Sequence, residues 1–426
     1  MNFLSGIKNY RAILTLLTGT TLSQLFLTFM LPVLSRLYSF SDFAVYGFLQ
    51  SIITPLSALA CGRYEMTIVT ARTNGRAVNA VFLSYLFSMV FALIVFVILL
   101  PFHGNINNWF QADLFRKIWF FLPLFIVAQG VYIANNFYLQ RVKHFKGLAF
   151  SKIVQHGSNV VLAFFFYFIA VPAGLILGLF SGFVTASCIT YLQMQKNNFS
   201  LRYFSLKQIK IHALEYKEYP LYNATPAFLY YLTFSIPVLL ISRHFMSDII
   251  GQYTLARQIM LIPSGMIASA ISQVYFQRIV QVNTNNKFIW PEFKTVFIYL
   301  FLMALLMCLI VVPFGPHLFS FVFGQKWQPS GVFARYLIIN ASLQFICTSL
   351  INTLPALGKV KLLGLWQLGY FLLTLTLFLL PHNDIHTFLK YYLAIDSFAL
   401  AINICMTIWV VKERDTRMSK TLINII

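Results

Sequence analysis

The chain has 426 residues, of which 59% are hydrophobic, 17% aromatic and only 10% charged. A soluble protein of ordinary composition carries about 25% charged residues, so a water-soluble globular fold is excluded. The formal net charge of +20 raises nucleic-acid binding as a function, but the placement of that charge rejects it.

Twelve apolar stretches fill almost the whole chain: 12–35, 42–62, 78–100, 117–140, 149–170, 173–193, 219–242, 249–275, 295–314, 330–355, 362–380 and 388–411. Crossing roughly 30 Å of hydrocarbon takes about 20 predominantly apolar residues. A backbone in lipid must satisfy its own hydrogen bonds, and these runs lack the alternation of barrel strands, so each predicts a helix. The first stretch is too long for a signal-peptide core. It is followed by Ser35-Arg36-Leu37-Tyr38 rather than a small-residue cleavage site, which predicts that it is retained.

With the N-terminus in the cytoplasm, twelve spans return the C-terminus to the same side. Of the 31 Lys and Arg, 22 then face the cytoplasm. Six face outward (Arg36, Arg116, Lys117, Arg243, Lys326, Lys390) and three lie within spans (Lys152, Arg257, Arg335). The positive-inside rule predicts this asymmetry, with both termini and the 194–218 loop cytoplasmic. The basic loops then have anionic membrane lipids as partners, not nucleic acid. The five cysteines (Cys61, Cys188, Cys308, Cys347, Cys405) sit in or at the ends of apolar spans without CxxC spacing, and are read as packing residues.

The chain is also written twice. Residues 27–33 read LTFMLPV and residues 232–238 read LTFSIPV. The correspondence continues in order through Ser41-Asp42 with Ser247-Asp248, Pro55 with Pro263, Tyr85-Leu86-Phe87 with Tyr299-Leu300-Phe301, and Pro101-Phe102 with Pro313-Phe314. Six spans per copy is an even number, so both copies enter the membrane in the same orientation. The expected fold is all-α: twelve transmembrane helices in two six-helix bundles, related by a pseudo-two-fold along the membrane normal around a central cavity. The N-terminal bundle is expected at 1–200, a basic cytoplasmic linker at 201–217 and the C-terminal bundle at 218–426. Prolines inside long spans (Pro32, Pro55, Pro237, Pro263) suit helices that bend.

Asp42-Phe43-Ala44-Val45-Tyr46-Gly47, followed by Gly62-Arg63-Tyr64-Glu65-Met66-Thr67-Ile68-Val69, resembles the start of the bacterial polysaccharide flippases of the Wzx type. The second half is similar again at Pro237-Val238-Leu239-Leu240, at Gly251-Gln252-Tyr253-Thr254-Leu255-Ala256-Arg257, and on to Ile271-Ser272-Gln273-Val274-Tyr275-Phe276-Gln277. Ala44 stands where that family often has Gly, and the last four spans match only in hydropathy and length. The resemblance implies the superfamily that also holds multidrug/cation antiporters and lipid II flippases. It implies transport of undecaprenyl-diphosphate-linked O-antigen or capsule repeat units from the cytoplasmic to the periplasmic leaflet of the bacterial inner membrane. Its implied partners are that polyprenyl-linked oligosaccharide and other polysaccharide assembly proteins. No cofactor is implied, and coupling to an ion or to the membrane potential is left open.

Charged groups inside spans cost about 2.5–3.5 kcal/mol on insertion scales, which makes each a functional candidate. Arg257 lies in the eighth span, and its repeat counterpart is the neutral Ser51, so the duplicated scaffold does not require the cation. It either binds pyrophosphate or acidic sugar, or pairs with Asp396 in the last span. Lys152 and His156 are four residues apart and share a helix face that could receive a diphosphate. Alternatively, Lys152 snorkels to the interface. Arg63 and Glu65 close the second span at its cytoplasmic mouth, either as a gate and substrate entry, with Arg63 binding the anionic substrate, or as charge anchors; two residues apart on a helix, they are expected to pair elsewhere. Amides in the spans such as Gln129, Asn135, Asn136, Asn223, Asn340, Gln344 and Asn403 serve either a cavity or interhelical hydrogen bonds.

No Walker-type phosphate loop, HExxH motif or paired carboxylate is present, so no enzyme is expected. Two rivals remain. A cation-coupled multidrug exporter of the same fold would favour acidic residues in its cavity, whereas the spans hold three Lys/Arg against one Asp. A membrane O-antigen polymerase or ligase would need a larger outer loop than 101–114 or 315–329 provides.

Overall fold

The computed structural model describes residues 3–109, 119–171, 173–381 and 383–423. Arg116 and Lys117 lie outside the described residues. All regular structure among the described residues is helical, and each of the twelve apolar stretches falls on a helix. Nine described segments are long and apolar enough to cross a membrane by length and composition. The protein therefore has an all-α, multi-span membrane fold. By its internal contacts the chain divides into two units, Met1–Gly251 and Gln252–Ile426.

The first unit opens with α1 (Phe3–Leu37) and α2 (Phe40–Leu59). Ser39 and Asp42 form a capping box: the Asp42 amide donates to the Ser39 hydroxyl at 3.3 Å and the Ser39 amide to the Asp42 carboxylate at 2.9 Å. Two donors that a helix start leaves unpaired are thereby satisfied. Beyond α2 the chain turns sharply, because Gly62 (φ 58°) and Arg63 (φ 63°) are both left-handed. A Cβ at Gly62 would also run into the Phe87 ring. The short α3 (Glu65–Thr70) follows, then α4 (Asn74–Trp109), α5 (Phe121–Arg141), α6 (Phe145–Phe168) and α7 (Gly174–Lys196).

In α7, Gly174, Gly178 and Gly182 recur every four residues and face α6 at Phe166, Ala163 and Asn159. Small residues at that spacing let two backbones approach, which replaces the hydrophobic driving force that lipid cannot supply. Buried Asn135 ties α5 to both neighbours: it accepts from the Tyr85 hydroxyl of α4 and donates to the Ser187 carbonyl (3.1 Å) and the Thr190 hydroxyl (2.9 Å) of α7. Helix α9 (Ala224–His244), which the repeat assigns to the second half, packs along α2 in this unit.

The 194–218 segment is not featureless. It contains a 3-10 turn (Leu201–Tyr203) and α8 (Leu206–Glu215), which docks on α4. Asn79 holds the approach, donating to the Tyr203 carbonyl (2.8 Å) and accepting from the Ser205 amide (2.9 Å). Buried His212 sits 2.8 Å from the Thr67 hydroxyl. The same hydroxyl also bonds the Tyr64 carbonyl at 2.7 Å.

Burial pushes His212 below the ordinary histidine range; Glu215 opposes the shift and Arg76 adds to it. The docked imidazole is neutral, whereas an undocked one takes up a proton near pH 6.5. Docking is therefore fully stabilised above that pH and weakens as the pH falls below it. Amide exchange of 206–215, corrected for intrinsic rates, is expected to accelerate several-fold between pH 7.5 and 5.5. His212→Gln should flatten that dependence, and an unchanged profile in the parent protein would refute it.

The second unit holds α10 (Ser247–Thr284) from Gln252 onward. It continues with α11 (Trp290–Phe323), α12 (Gln328–Leu350), the short α13 (Thr353–Ala356), α14 (Val360–Leu375) and α15 (Ile385–Ile423). One core packs Tyr275, Phe293, Phe345 and Val411 from four of these helices. Gly315 and Gly331 bring α11 and α12 into backbone contact. Ile289, at the start of α11, cannot cap the helix with its own side chain. Asp415 of α15 does so instead, accepting from the Ile289 amide at 2.9 Å and the Trp290 amide at 2.8 Å.

Candidate functional site

In the second unit α12 and α14 each pack on α15, and buried polar side chains lie on these helices and on α10. Asp396 of α15 is 3% exposed and accepts a hydrogen bond from the Tyr370 hydroxyl of α14. Tyr370 is held in turn by Trp366, stacked on it at 5.4 Å, and the Trp366 indole donates to the Ala399 carbonyl at 2.8 Å. Arg257, half-buried on α10, lies within Coulombic reach of Asp396, Tyr253 and Tyr392.

Several buried polar atoms of this unit have no hydrogen-bond partner among the described residues: the Tyr253 hydroxyl, the Thr254 hydroxyl and Asn403 Nδ2. Buried polar groups are almost always paired, so such atoms call for an explanation. A guanidinium within electrostatic reach of two tyrosine hydroxyls and one carboxylate inside apolar helices can replace part of the hydration of an anionic or polyhydroxylated solute.

The first unit carries the other candidates in two places. Lys152 and His156 share one face of α6, as the spacing predicts, and Lys152 places its Nζ 5.6 Å from the Tyr132 ring centroid. Beside it Ser151 contacts the Tyr132 hydroxyl and Asn136, each at 3.4 Å. Buried Gln155 on the same helix leaves Oε1 unpartnered. Lys152 therefore lies over an aromatic ring within a polar patch.

Arg63 and Glu65 are at the turn between α2 and α3. The expectation that they pair elsewhere is corrected: Arg63 Nη1 lies 3.8 Å from Glu65 Oε1, with side-chain exposures of 17% and 5%. The expectation assumed a continuous helix, in which positions two apart diverge. The left-handed Gly62–Arg63 turn breaks that helix and folds the guanidinium back. Arg335 binds the Pro313 carbonyl at 3.2 Å. Asn135 is an interhelical tie, not a lining group, because its amide bonds are spent within the unit.

The tyrosines around Arg257 and Asp396 went unnoticed in the sequence. Two of them carried a signal: Tyr253 precedes Arg257 by four residues, and Tyr392 precedes Asp396 by four, so each shares a helix face with its charge. Tyr370 carried none, since its approach to Asp396 depends on how two helices pack. Among the described residues no group of three His, Cys, Asp or Glu could hold a metal ion.

Comparison with known proteins adds the following. The family described as "Polysaccharide biosynthesis protein" matches residues 33–332. No curated protein matches by sequence. Among solved structures, an inward-facing multidrug resistance MATE family transporter of the MOP superfamily is similar over 94% of this chain and 99% of its own, at TM-score 0.69 and 13% identity. The lipid II flippase MurJ, in an inward closed conformation, is similar over 94% of this chain and 89% of its own, at TM-score 0.69 and 13% identity. A MOP superfamily transporter from Pyrococcus furiosus, described as having a binding pocket of reverse polarity, is similar over 95% and 96% at TM-score 0.59 and 12% identity. At these identities the likeness is one of fold.

Proposed function

This chain belongs to the polysaccharide biosynthesis protein family, and from that premise we propose that it is a lipid-linked oligosaccharide flippase. It moves undecaprenyl-diphosphate-linked O-antigen or capsule repeat units from the cytoplasmic to the periplasmic leaflet of the bacterial inner membrane by alternating access. In this reading twelve spans form two six-helix halves around a central cavity, both termini are cytoplasmic, and no bond of the substrate is made or broken. Lys152 and His156 receive the diphosphate, Arg257 binds it within the span, and Arg63 with Glu65 guards the cytoplasmic mouth. Asp396 couples the cycle to an ion or to the membrane potential.

The observation that carries the reading is the environment of Arg257. A half-buried cation stands on a helix that also carries the buried Tyr253 and Thr254 hydroxyls, at a position where the repeat has only Ser51. Such a setting matches a pyrophosphate joined to a polar glycan. A second reading draws on Asp396, a fully buried carboxylate of the kind a cation-coupled multidrug exporter uses.

Removal of the protein from its host separates the two. Polyprenyl-linked repeat units are expected to accumulate in the inner leaflet, inaccessible to externally added glycan-cleaving enzymes, with surface polysaccharide lost. Normal surface glycan together with new sensitivity to cationic dyes would replace the flippase reading by the exporter.

A further inference from the structure

Helix α8 is docked by one edge only. Ile209 and His212 are buried, with Ile209 packed on Tyr64 and Leu83. The Tyr64 hydroxyl donates to the Ala213 carbonyl at 3.1 Å. The opposite face is open and of mixed character: Leu206 (70% exposed), Ile211 and Leu214 (63% exposed) alternate around the helix with exposed Lys207 and Lys210. Arg202, in the preceding turn, is exposed as well. At 100° per residue, positions 206, 210, 214, 207 and 211 fall in that order across one arc. The nearby acid Glu215 is engaged by Arg76 at 3.4 Å and does not cancel these charges.

The depth of the helix is set by its neighbours. Leu83 lies about one turn into the apolar run of α4, and Asn79, at the start of that run, holds both Tyr203 and Ser205. These contacts set α8 level with the first turns of the apolar run of α4. Water is a poor solvent for three large aliphatic side chains on little more than two turns of helix, and hydrocarbon is a poor solvent for the interleaved lysines. Only an interface serves both, with the Lys stems lying along the apolar surface and their ammonium groups reaching outward.

We propose that α8 is a membrane-surface anchor, with Leu206, Ile211 and Leu214 seated in the acyl boundary of the cytoplasmic leaflet and Arg202, Lys207 and Lys210 bound to anionic headgroups. The cytoplasmic side is the one the charge count assigns to the 194–218 loop, and the anchor does not depend on what cargo is carried. Because the docked edge grips Tyr64 and Thr67, the leaflet also steadies the α2–α3 turn that holds Arg63 against Glu65.

The full-length protein in nanodiscs tests this by amide exchange of 206–215. In discs containing phosphatidylglycerol these amides are expected to exchange on the order of tenfold more slowly than in phosphatidylcholine alone, since each basic side chain near an anionic surface contributes about a fivefold gain in binding. Lys207→Glu with Lys210→Glu should abolish the lipid difference while leaving exchange in 224–244 unchanged. Lys207→Gln with Lys210→Gln is the gentler variant should the first fail to fold. Leu206→Ser with Leu214→Ser should raise exchange in both lipids. Equal exchange of the parent protein in the two lipids would overturn the anchor. Protection that arises only when an acidic soluble protein is added would overturn it too, and assign the face to a protein partner.

Discussion

Arg257→Ala is expected to lower glycan export roughly ten- to hundredfold, with protein abundance near that of the parent. The magnitude follows from a charge-assisted hydrogen bond to an anion, worth about 1.5–3 kcal/mol. Arg257→Lys keeps the charge but loses the planar fork that matches phosphate, and should retain partial activity. The structure sharpens the alternative, because Asp396 lies within the Coulombic reach of Arg257 and is buried. Removing one member of a buried pair costs about 3–5 kcal/mol, so Arg257→Ala alone does not separate binding from pairing. The double substitution Arg257→Gln with Asp396→Asn leaves no unpaired charge, and its asparagine Oδ1 can still accept from Tyr370. If Arg257 binds substrate, the double variant stays defective in export although its abundance and thermal midpoint match those of the parent. Export equal to that of the parent would refute the binding role and leave Arg257 a structural partner.

The spans were legible in the sequence because hydrocarbon leaves the backbone no choice but helix, and a run such as 295–314 announces itself by composition alone. The path of the chain at the membrane surface was not. The second span was read through residue 62, yet α2 ends at Leu59 and the chain reverses at two left-handed residues. Gly62 was a visible marker; Arg63 in the same conformation was not, since L residues seldom adopt it. The error carried over to the site and separated Arg63 from Glu65 on paper.

The 194–218 gap shows its charge, but its ten-residue helix is not legible in the sequence because its apolar residues divide between the docked edge (Ile209) and the open face (Leu206, Ile211, Leu214) and give no single apolar stripe. Pairing along one helix was recoverable: Lys152 with His156 followed from spacing. Pairing between helices, as of Tyr370 with Asp396 or Tyr85 with Asn135, depends on rotation and depth of packing, which hydropathy does not encode.

Asp415→Ala is expected to destabilise the protein by about 2–4 kcal/mol, because a lost partner leaves each buried donor with a penalty of about 1–3 kcal/mol. The sequence gives α11 no local cap. Ile289 stands at the cap position, and Pro291 in the first turn offers no amide. The Ile289 and Trp290 amides are instead bound by a carboxylate more than a hundred residues later, at 2.9 and 2.8 Å. A negative charge at a helix N-terminus adds about 0.3–1 kcal/mol by interaction with the dipole. Neighbours hold the carboxylate in place: Arg414 donates to Asp415 at 2.9 Å and to the Lys287 carbonyl at 2.6 Å, and Lys412 lies 4.6 Å from the Trp290 ring centroid. Asp415→Asn keeps one acceptor oxygen and should cost about half as much. Asp384, an exposed local cap bonded to the Thr387 amide at 3.1 Å, supplies the comparison: its alanine variant should lose only about 1 kcal/mol. Thermal midpoints of the three purified variants in one detergent should therefore fall in the order Asp415→Ala, Asp415→Asn, Asp384→Ala, largest drop first for the first of them. A midpoint for Asp415→Ala equal to that of the parent would mean that α11 is held by its packing on α12 alone, and that the carboxylate clasp contributes nothing.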